Sequence, residues 1–219
     1  MKKYFSVLKK CPLFSGIEEE KLSGLLGCLG ARVVSFDKKY TVFAEDSAAN
    51  YIGIVLFGRV QIIRYGYDGS RSILAEAAAS EMFCEAFACA ELDAIPVTVI
   101  AAEPSEIMLI DCRHILRTCQ NACGFHQQLI FNLMKNLAVK NIMLHNKSEI
   151  TSKRTTREKL WAYLMLEAHE RGAKSFDISF NRQELADYLE VDRSGLSVEI
   201  GRLIKDGLIK SRKNHFEIL

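Results

Sequence analysis

The chain of 219 residues is predicted to adopt an α+β fold with three parts: a roll of short β-strands, a long helix and a C-terminal winged helix-turn-helix. Three observations lead to this prediction. Short strand patterns separated by turn signals recur from about residue 31 to residue 111. No proline or glycine interrupts residues 125–150. Two short capped helices and a basic hairpin follow from residue 181 onwards.

The first part, residues 1–118, is expected to be a separate domain built around a barrel or jelly roll. Repeated short strands of this kind, with turns between them, are typical of closed or double-layered sheets. The Asp68-Gly69 pair is a strong signal for a hairpin turn. The predicted strands are Arg32–Phe36, Tyr40–Ala44, Tyr51–Phe57, Val60–Tyr65, Ser70–Ala75, Val97–Ala101 and Ile107–Ile110.

The second part, residues 119–150, is expected to be a dimerisation helix. Residues recur there at spacings of four and three, which is the signature of a coiled-coil seam: Ile130, Met134, Leu137, Asn141, Leu144 and Ser148. The same spacing is common in helices that pack into the core of their own chain. A long helix between two domains is harder to bury in one chain, which favours a two-fold homodimer in which Asn141 sets the register.

The third part, residues 151–219, is expected to be a winged helix. Thr155 and Glu158 predict a capped helix over Thr156–Ala168 that packs four side chains inward, namely Leu160, Trp161, Leu164 and Met165. A strand at residues 176–180 and a hairpin at residues 208–218 flank the two short helices.

The two short helices are defined by caps and apolar faces. Asn181 and Glu184 have capping-box spacing, residues 190–191 form the corner, and Asp192 caps the second helix. The apolar positions are Leu185, Ala186, Leu189, Leu196, Ile200, Leu203 and Ile204. A plain helical hairpin has the same spacing, so that alternative stays open on spacing alone.

Particular strings make the pattern specific. FNRQELADYL at 180–189 and DRSGLSVEIGRLIKDGLI at 192–209 resemble the C-terminal domain of the CRP/FNR superfamily of bacterial transcription regulators. PLFSGI at 12–17, IVLFGRV at 54–60 and REKL at 157–160 are similar to other parts of that family. The resemblance implies a cyclic-nucleotide-binding-like β-roll that senses an effector. It also implies a homodimer that binds a double-stranded, pseudo-palindromic DNA operator and acts on RNA polymerase.

The first turns of the second short helix are the expected DNA-reading positions: Arg193, Ser194, Ser197 and Val198. An arginine can pair with both acceptors of a guanine, a contact that discriminates by about 1–3 kcal/mol. Asn181, Arg182, Arg202 and Lys213 complete the expected DNA-contacting set. The two serines are alternatively solvent-facing only. Relatives often carry Glu or Gln at the position of Ser194 and Arg at that of Val198, so the operator is expected to differ from the family's best-known half-site.

The region that resembles a nucleotide pocket lacks the family's phosphate-binding residues. Its cyclic-nucleotide members use a Gly-Glu turn and an Arg-Ser or Arg-Thr pair, whereas this chain has SEMFCEA at 80–86 and Ile95-Pro96. No Lys or Arg occurs from residue 72 to 112, and burying a phosphodiester without a cation is costly. A small-molecule effector other than cAMP is therefore expected near Glu81, Phe83, Cys84, Glu85 and Phe87, with Asn141 reaching in. These side chains are alternatively ordinary core.

Seven cysteines without zinc-ligand spacing indicate buried thiols rather than a disulfide framework, and no metal or cofactor is expected. Thiol or metal sensing stays open, because Cys119 and Cys123 can share a helix face and Cys84, Cys89 and Cys112 can lie close together. No catalytic motif appears, so enzymatic activity is not expected. A ligand-binding module without DNA readout is a weaker alternative. No bilayer-length apolar run or signal sequence is found, so a cytoplasmic protein without a membrane partner is expected.

Overall fold

The computed structural model describes residues 2–116 and 125–219 and confirms the α+β fold class. The chain forms two compact units. One is built from the residues up to Arg64 together with Leu74–Asn141, and the other from Tyr65–Ile73 together with Ile142–Leu219. Among the described residues, no helix combines the length and the apolar character needed to cross a bilayer.

The first unit is a β-roll of two four-stranded sheets. Its strands are β1 (Arg32–Phe36), β2 (Thr41–Phe43), β3 (Tyr51–Phe57), β4 (Arg59–Tyr65), β5 (Arg71–Ala78), β6 (Met82–Phe83), β7 (Thr98–Ala101) and β8 (Ser105–Asp111). One sheet has the order β1-β8-β3-β6 and the other the order β2-β7-β4-β5. Pairing of β8 with both β1 and β3 is antiparallel, as expected for a jelly-roll sheet.

Helices cover one face of this roll. They are α1 (Phe5–Leu8), α2 (Glu19–Cys28), α3 (Glu85–Cys89), α4 (Cys112–Leu116) and α5 (Phe125–Thr151). Strand β3 is buried on both faces, since Ile54 packs in the cluster that contains the helices and Val55 packs in the cluster between the sheets. The sequence patterns found the long strands but missed β6, α3 and α4, which span too few residues to show a period.

The helix α5 is continuous over 27 residues and contributes to both units. One face packs on the first unit through Leu129, Leu133 and Leu137. Leu137, which is predicted to lie in an intermolecular seam, is partly buried against the core of its own unit, and the seam itself stays a prediction. Large apolar side chains are exposed along the rest of the helix, which are Phe131, Met134, Val139, Ile142, Met143 and Leu144.

The second unit is a winged helix joined by the 65–73 hairpin and the end of α5. Its remaining elements are α6 (Thr156–Arg171), β9 (Ser175–Asp177), α7 (Arg182–Leu189), α8 (Arg193–Lys205), β10 (Ile209–Arg212) and β11 (His215–Ile218). The three strands form an antiparallel sheet in the order β10-β11-β9. The capping box of Thr155 and Glu158 is present as predicted.

One face of α6 differs from its sequence prediction. Leu160 and Leu164 are buried as expected, but Met165 is exposed and Trp161 is only partly buried. Tyr163 is the third buried side chain, with its ring 5.5 Å from that of Tyr188. Tyr163 was not among the predicted inward-facing side chains. It follows Leu160 by three positions on the same face of the helix, where its ring supplies apolar area.

Within the second unit, the 65–73 hairpin contacts α7 and the end of α5. The Nε atom of Arg71 donates to Oδ2 of Asp187 at 2.9 Å. The buried ammonium of Lys147 donates to the carbonyl oxygen of Ile73 and lies 4.5 Å from the centre of the Tyr188 ring. The hairpin is thus held by one ion pair and one buried lysine.

Candidate nucleic-acid interface and effector region

Helix α7 begins and ends as the sequence predicts. The side chain of Asn181 accepts hydrogen bonds from the backbone N–H groups of Gln183 and Glu184, and Glu184 in turn accepts from the N–H of Asn181 at 2.8 Å. At the other end Glu190 has a φ of 55°, in the left-handed region, which turns the chain into the corner. The start and the end of α7 are therefore set by hydrogen bonds and backbone angles of residues that are close in sequence.

Helix α8 turns one apolar face inward and one polar face outward. Asp192 caps its start by accepting from the N–H of Gly195 at 2.8 Å. The side chains of Leu196, Ile200 and Leu203 are buried. The four predicted base-reading residues all lie on the exposed surface of the first turns: Arg193, Ser194, Ser197 and Val198.

Arg193 differs from the other polar residues of this face because its guanidinium is unengaged. Across residues 2–116 and 125–219, no acceptor bonds this guanidinium. The hydroxyl of Ser194 donates to the Asp192 carboxylate, and that of Ser197 donates to the carbonyl oxygen of Arg193 at 3.0 Å. The Asp192 carboxyl has a pKa below its ordinary value, chiefly because of the bond from Ser194. Both serine hydroxyls already donate their hydrogens, so they can only accept a hydrogen bond from a ligand. The Arg193 guanidinium can still donate all of its N–H groups.

Arg182 and Arg202 were predicted to contact DNA, but both already have protein partners. The guanidinium of Arg182 donates to the carbonyl oxygen of Lys213 at 3.0 Å and lies 5.4 Å from the centre of the Phe216 ring. Burial lowers the pKa of Arg182 from its ordinary value. Arg202 is exposed and is paired with Glu199 at 2.5 Å. Arg182 therefore holds the wing against α7.

Lys213 and Asn181 lie at the edges of this surface. Lys213 is exposed at the tip of the β10–β11 hairpin, where its φ is 53°. The side-chain oxygen of Asn181 is used by the helix cap, which leaves the amide nitrogen at an exposed position. Of the predicted DNA-contacting residues, Arg193, Lys213 and Asn181 thus present unengaged donors, at the start of α8, at the wing tip and at the start of α7.

In the effector region, three of the predicted pocket residues stabilise the fold. Glu81 is exposed, and its carboxylate accepts from the N–H of Ala78 at 2.8 Å, which closes the turn before β6. The Phe83 ring lies over Gly53, where an added Cβ would come within 2.1 Å of it. Phe87 is partly buried against the cluster between the sheets. Phe83 and Phe87 thus agree with the alternative that these side chains are ordinary core, whereas Glu81 lies on the surface and stabilises a turn.

Glu85 is the buried charge of this region. Its Oε1 atom lies 2.6 Å from Nζ of Lys140 and accepts from the amide of Asn136 at 2.9 Å. Neither partner was predicted from the sequence. The α5 residue that was expected to reach into the effector pocket is Asn141, which is exposed. Asn136 and Lys140 are four residues apart and share a face of α5, whereas Asn141 is rotated by about 100° from Lys140.

Cations reach the region from elements outside the segment 72–112. Lys140 comes from α5, and Arg59 comes from β4, where its Nη1 atom lies 2.6 Å from Oε1 of Glu76. The absence of Lys and Arg from residues 72–112 therefore does not leave this region without positive charge. Both cations are nevertheless paired with carboxylates, and Ile95 is buried where the family's arginine would stand.

The cysteines of the first unit differ in their surroundings. Cys11 and Cys84 are buried, and burial raises the pKa of each thiol to about 12. Cys89 and Cys112 lie with their Sγ atoms 3.5 Å apart. Cys119 and Cys123 are outside the described residues. Within the described part of the chain, no three His, Cys, Asp or Glu side chains are grouped as a metal site would require.

Two protein families match the chain on either side of the long helix. The family described as the cyclic nucleotide-binding domain matches residues 33–122, and the one described as the Crp-like helix-turn-helix domain matches residues 158–219. Among curated proteins, a "CRP-like cAMP-activated global transcriptional regulator" of Mycobacterium tuberculosis is 32% identical over 79 residues. That alignment covers 36% of this chain and spans about a third (34%) of the relative.

Solved structures share the fold at low identity. A mutant of CooA from Carboxydothermus hydrogenoformans superposes with a TM-score of 0.73 at 20% identity, covering 89% of this chain and 85% of that one. The regulator CLP of Xanthomonas campestris has a TM-score of 0.72 at 18% identity, with coverages of 90% and 98%. FixK2 from Bradyrhizobium japonicum has a TM-score of 0.66 at 20% identity, with coverages of 86% and 92%. With its β-roll, its long helix and a Crp-like helix-turn-helix, the chain belongs to the CRP/FNR superfamily of bacterial transcription regulators.

Proposed function

We propose that this protein is a sequence-specific DNA-binding transcription regulator that reads its operator with the start of α8. The observation that carries the proposal is the exposed, unengaged guanidinium of Arg193 on the first turn of a capped second helix. In a helix-turn-helix these turns enter the major groove, where an arginine can bond both O6 and N7 of a guanine. Lys213 at the wing tip would add a phosphate contact.

We further propose that the protein forms a homodimer through α5. Six large apolar side chains are exposed along this helix, and leaving them in water is unfavourable by about 25 cal/mol for each Å². Pairing of α5 with its copy in a second chain would bury part of this exposed apolar surface. A homodimer of this kind carries two α8 helices, and such dimers read two half-sites one turn of B-DNA apart, about 34 Å, so the operator would be pseudo-palindromic.

Association can be tested by sedimentation with one substitution on this face. Met134→Glu places a charge among the exposed apolar residues, and we expect it to convert the dimer into a monomer. Met165→Glu is the matched control, because Met165 is an exposed methionine on α6. If both variants associate as strongly as the parent chain does, α5 does not form the proposed interface.

We also propose that a small-molecule effector bound in the β-roll controls DNA binding. Cyclic-nucleotide contacts of the family are replaced by Ile95 and Pro96, and the cations Arg59 and Lys140 are paired with carboxylates. An effector other than cAMP would therefore control DNA affinity, and RNA polymerase would be the partner on which the bound regulator acts. Such a regulator would work in the cytoplasm, where it meets the chromosome.

The function is tested by selecting genomic fragments with the purified protein and footprinting the enriched ones. We expect a short pseudo-palindrome with half-sites one helical turn apart. Enrichment of fragments without a shared sequence would indicate non-specific binding only, which salt weakens strongly. Genes beside the enriched sites would indicate the class of effector.

A further inference from the structure

Two cysteines of the first unit are close enough to react with each other. Cys89 is the last residue of α3 and Cys112 is the first residue of α4, directly after β8. Their Sγ atoms are 3.5 Å apart, and a disulfide has a bond of about 2.05 Å. The sulfur atoms must therefore approach each other by about 1.5 Å for the bond to form. Side-chain rotation covers distances of this size.

The two thiols differ in acidity and in access. The hydrogen bond from the Cys112 thiol lowers the pKa of Cys89, in opposition to partial burial and to the charge of Glu85. The same hydrogen bond, burial and the nearby acidic residues raise the pKa of Cys112. Cys89 is partly exposed, whereas Cys112 is buried. The thiol that ionises more easily is thus the one that a solute can reach, as in reactive thiol pairs.

The other described cysteines lack this combination. Cys11 and Cys84 have pKa values raised to about 12, so they stay protonated at neutral pH. Cys28 is exposed, but no other described cysteine lies beside it. A pair of neighbouring thiols, one accessible and one buried, therefore occurs at Cys89 and Cys112.

We propose that Cys89 and Cys112 are a redox-modification site, at which a hydroperoxide converts two thiols into a reversible disulfide. The Cys89 thiolate attacks the terminal oxygen of the peroxide, so an S–O bond forms, the O–O bond breaks, and alkoxide (hydroxide for hydrogen peroxide) leaves and is protonated to an alcohol or water. The Cys112 sulfur then attacks the sulfur of the Cys89 sulfenic acid, so the S–S bond forms, the S–O bond breaks, and the sulfenic hydroxyl leaves as water with the proton of the Cys112 thiol. Overall two thiols lose two electrons and two protons, and the peroxide gains them.

The site does not depend on DNA binding. It lies in the first unit, and its reaction is measured on the thiols themselves. The disulfide would join the end of α3 to the start of α4, while Glu85 at the beginning of α3 is bonded to Asn136 and Lys140. A dithiol reductant would restore both thiols by exchange.

The test is disulfide mapping of the folded, full-length chain. The reduced protein is treated with stoichiometric hydrogen peroxide, alkylated, and cut with trypsin and a glutamate-specific protease. Cys84, Cys89 and Cys112 then fall on separate peptides, namely residues 82–85, 86–91 and 107–113. We expect peptide 86–91 linked to peptide 107–113, loss of two thiols per chain, and recovery of both after reduction.

Variants assign the roles of the two sulfurs. Cys28→Ser is the matched control and should keep the link. In Cys112→Ser the sulfenic acid should persist on Cys89 and be trapped by a 1,3-dione. Recovery of both peptides alkylated and unlinked after peroxide would overturn the proposal. So would a link from either peptide to Cys119 or Cys123. The mapping of the unsubstituted chain decides the matter even if a variant folds poorly.

Discussion

The Nζ atom of Lys140 on α5 lies 2.6 Å from Oε1 of Glu85, the first residue of α3. Glu85 is only 2% exposed, and the same oxygen accepts from the amide of Asn136. A charged carboxylate at this depth persists because two donors satisfy it. The pair joins the short helix of the effector region to the helix that the proposal assigns to dimerisation.

Removing both partners of this ion pair should destabilise the chain less than the two single removals added together. Lys140→Met leaves a buried carboxylate with Asn136 as its remaining described donor. We expect a loss of about 2–3 kcal/mol in the free energy of unfolding, below the usual range because the lysine is one-third exposed. Urea unfolding measures it. The double variant Glu85→Gln with Lys140→Met should be less destabilised than the sum of the single variants, and strict additivity would show that the pair contributes nothing.

The buried Lys147 should make stability depend on pH. Burial lowers its pKa from 10.5 to about 8. Between these values the unfolded chain binds a proton that the folded chain does not, so the folded state gains stability as pH rises from 8 to 10.5. The gain is at most about 3 kcal/mol. The urea midpoint should therefore rise less in Lys147→Met than in the parent chain.

Other groups also titrate in this window, so the informative quantity is the difference between chains. Lys153→Met is the matched control, since Lys153 is exposed on the surface of the same unit. It should follow the pH profile of the parent chain. A Lys147→Met profile that also follows the parent would show that Lys147 has an ordinary pKa in the folded state.

Cyclic AMP should not stabilise the protein. Ile95 is buried where a phosphate-binding arginine would stand, and Lys140 and Arg59 are paired with carboxylates. We expect no rise in Tm with cAMP beyond that given by 5′-AMP, measured by thermal unfolding. A ligand at a hundred times its Kd would stabilise by about 2.7 kcal/mol, so a rise of several degrees with cAMP alone would contradict the expectation.

The second unit was predictable because its signals are local. The caps at Asn181 and Asp192 and the corner at Glu190 involve residues within three positions of each other, and all are present in the structure. The apolar faces of α7 and α8 were also identified from spacing, except that Ile204 is exposed, because it lies at the edge of the buried stripe. The bonds of Arg182 to the wing could not be predicted, because its partners there are about thirty residues away.

The effector region was less predictable because its contacts join distant segments. Glu85 is bonded to Asn136 and Lys140, which follow it in the chain by 51 and 55 positions. No local pattern marks that pairing. The neighbourhood of Cys89 and Cys112 was expected only as one of several possibilities, since it depends on how α3 and β8 end beside each other.

The central claim is that Arg193 at the start of α8 reads the operator directly. Quantitative footprinting of three variants on the enriched operator, at fixed salt, tests it most directly. Arg193→Ala should lower specific affinity at least tenfold, which corresponds to about 1.4 kcal/mol. Arg193→Lys keeps the charge but loses the two-pronged contact, so it should also fail to discriminate the guanine. Lys205→Ala removes one charge at the far end of α8 and should bind like the parent chain. An Arg193→Ala footprint equal to that of the parent would contradict direct readout by α8.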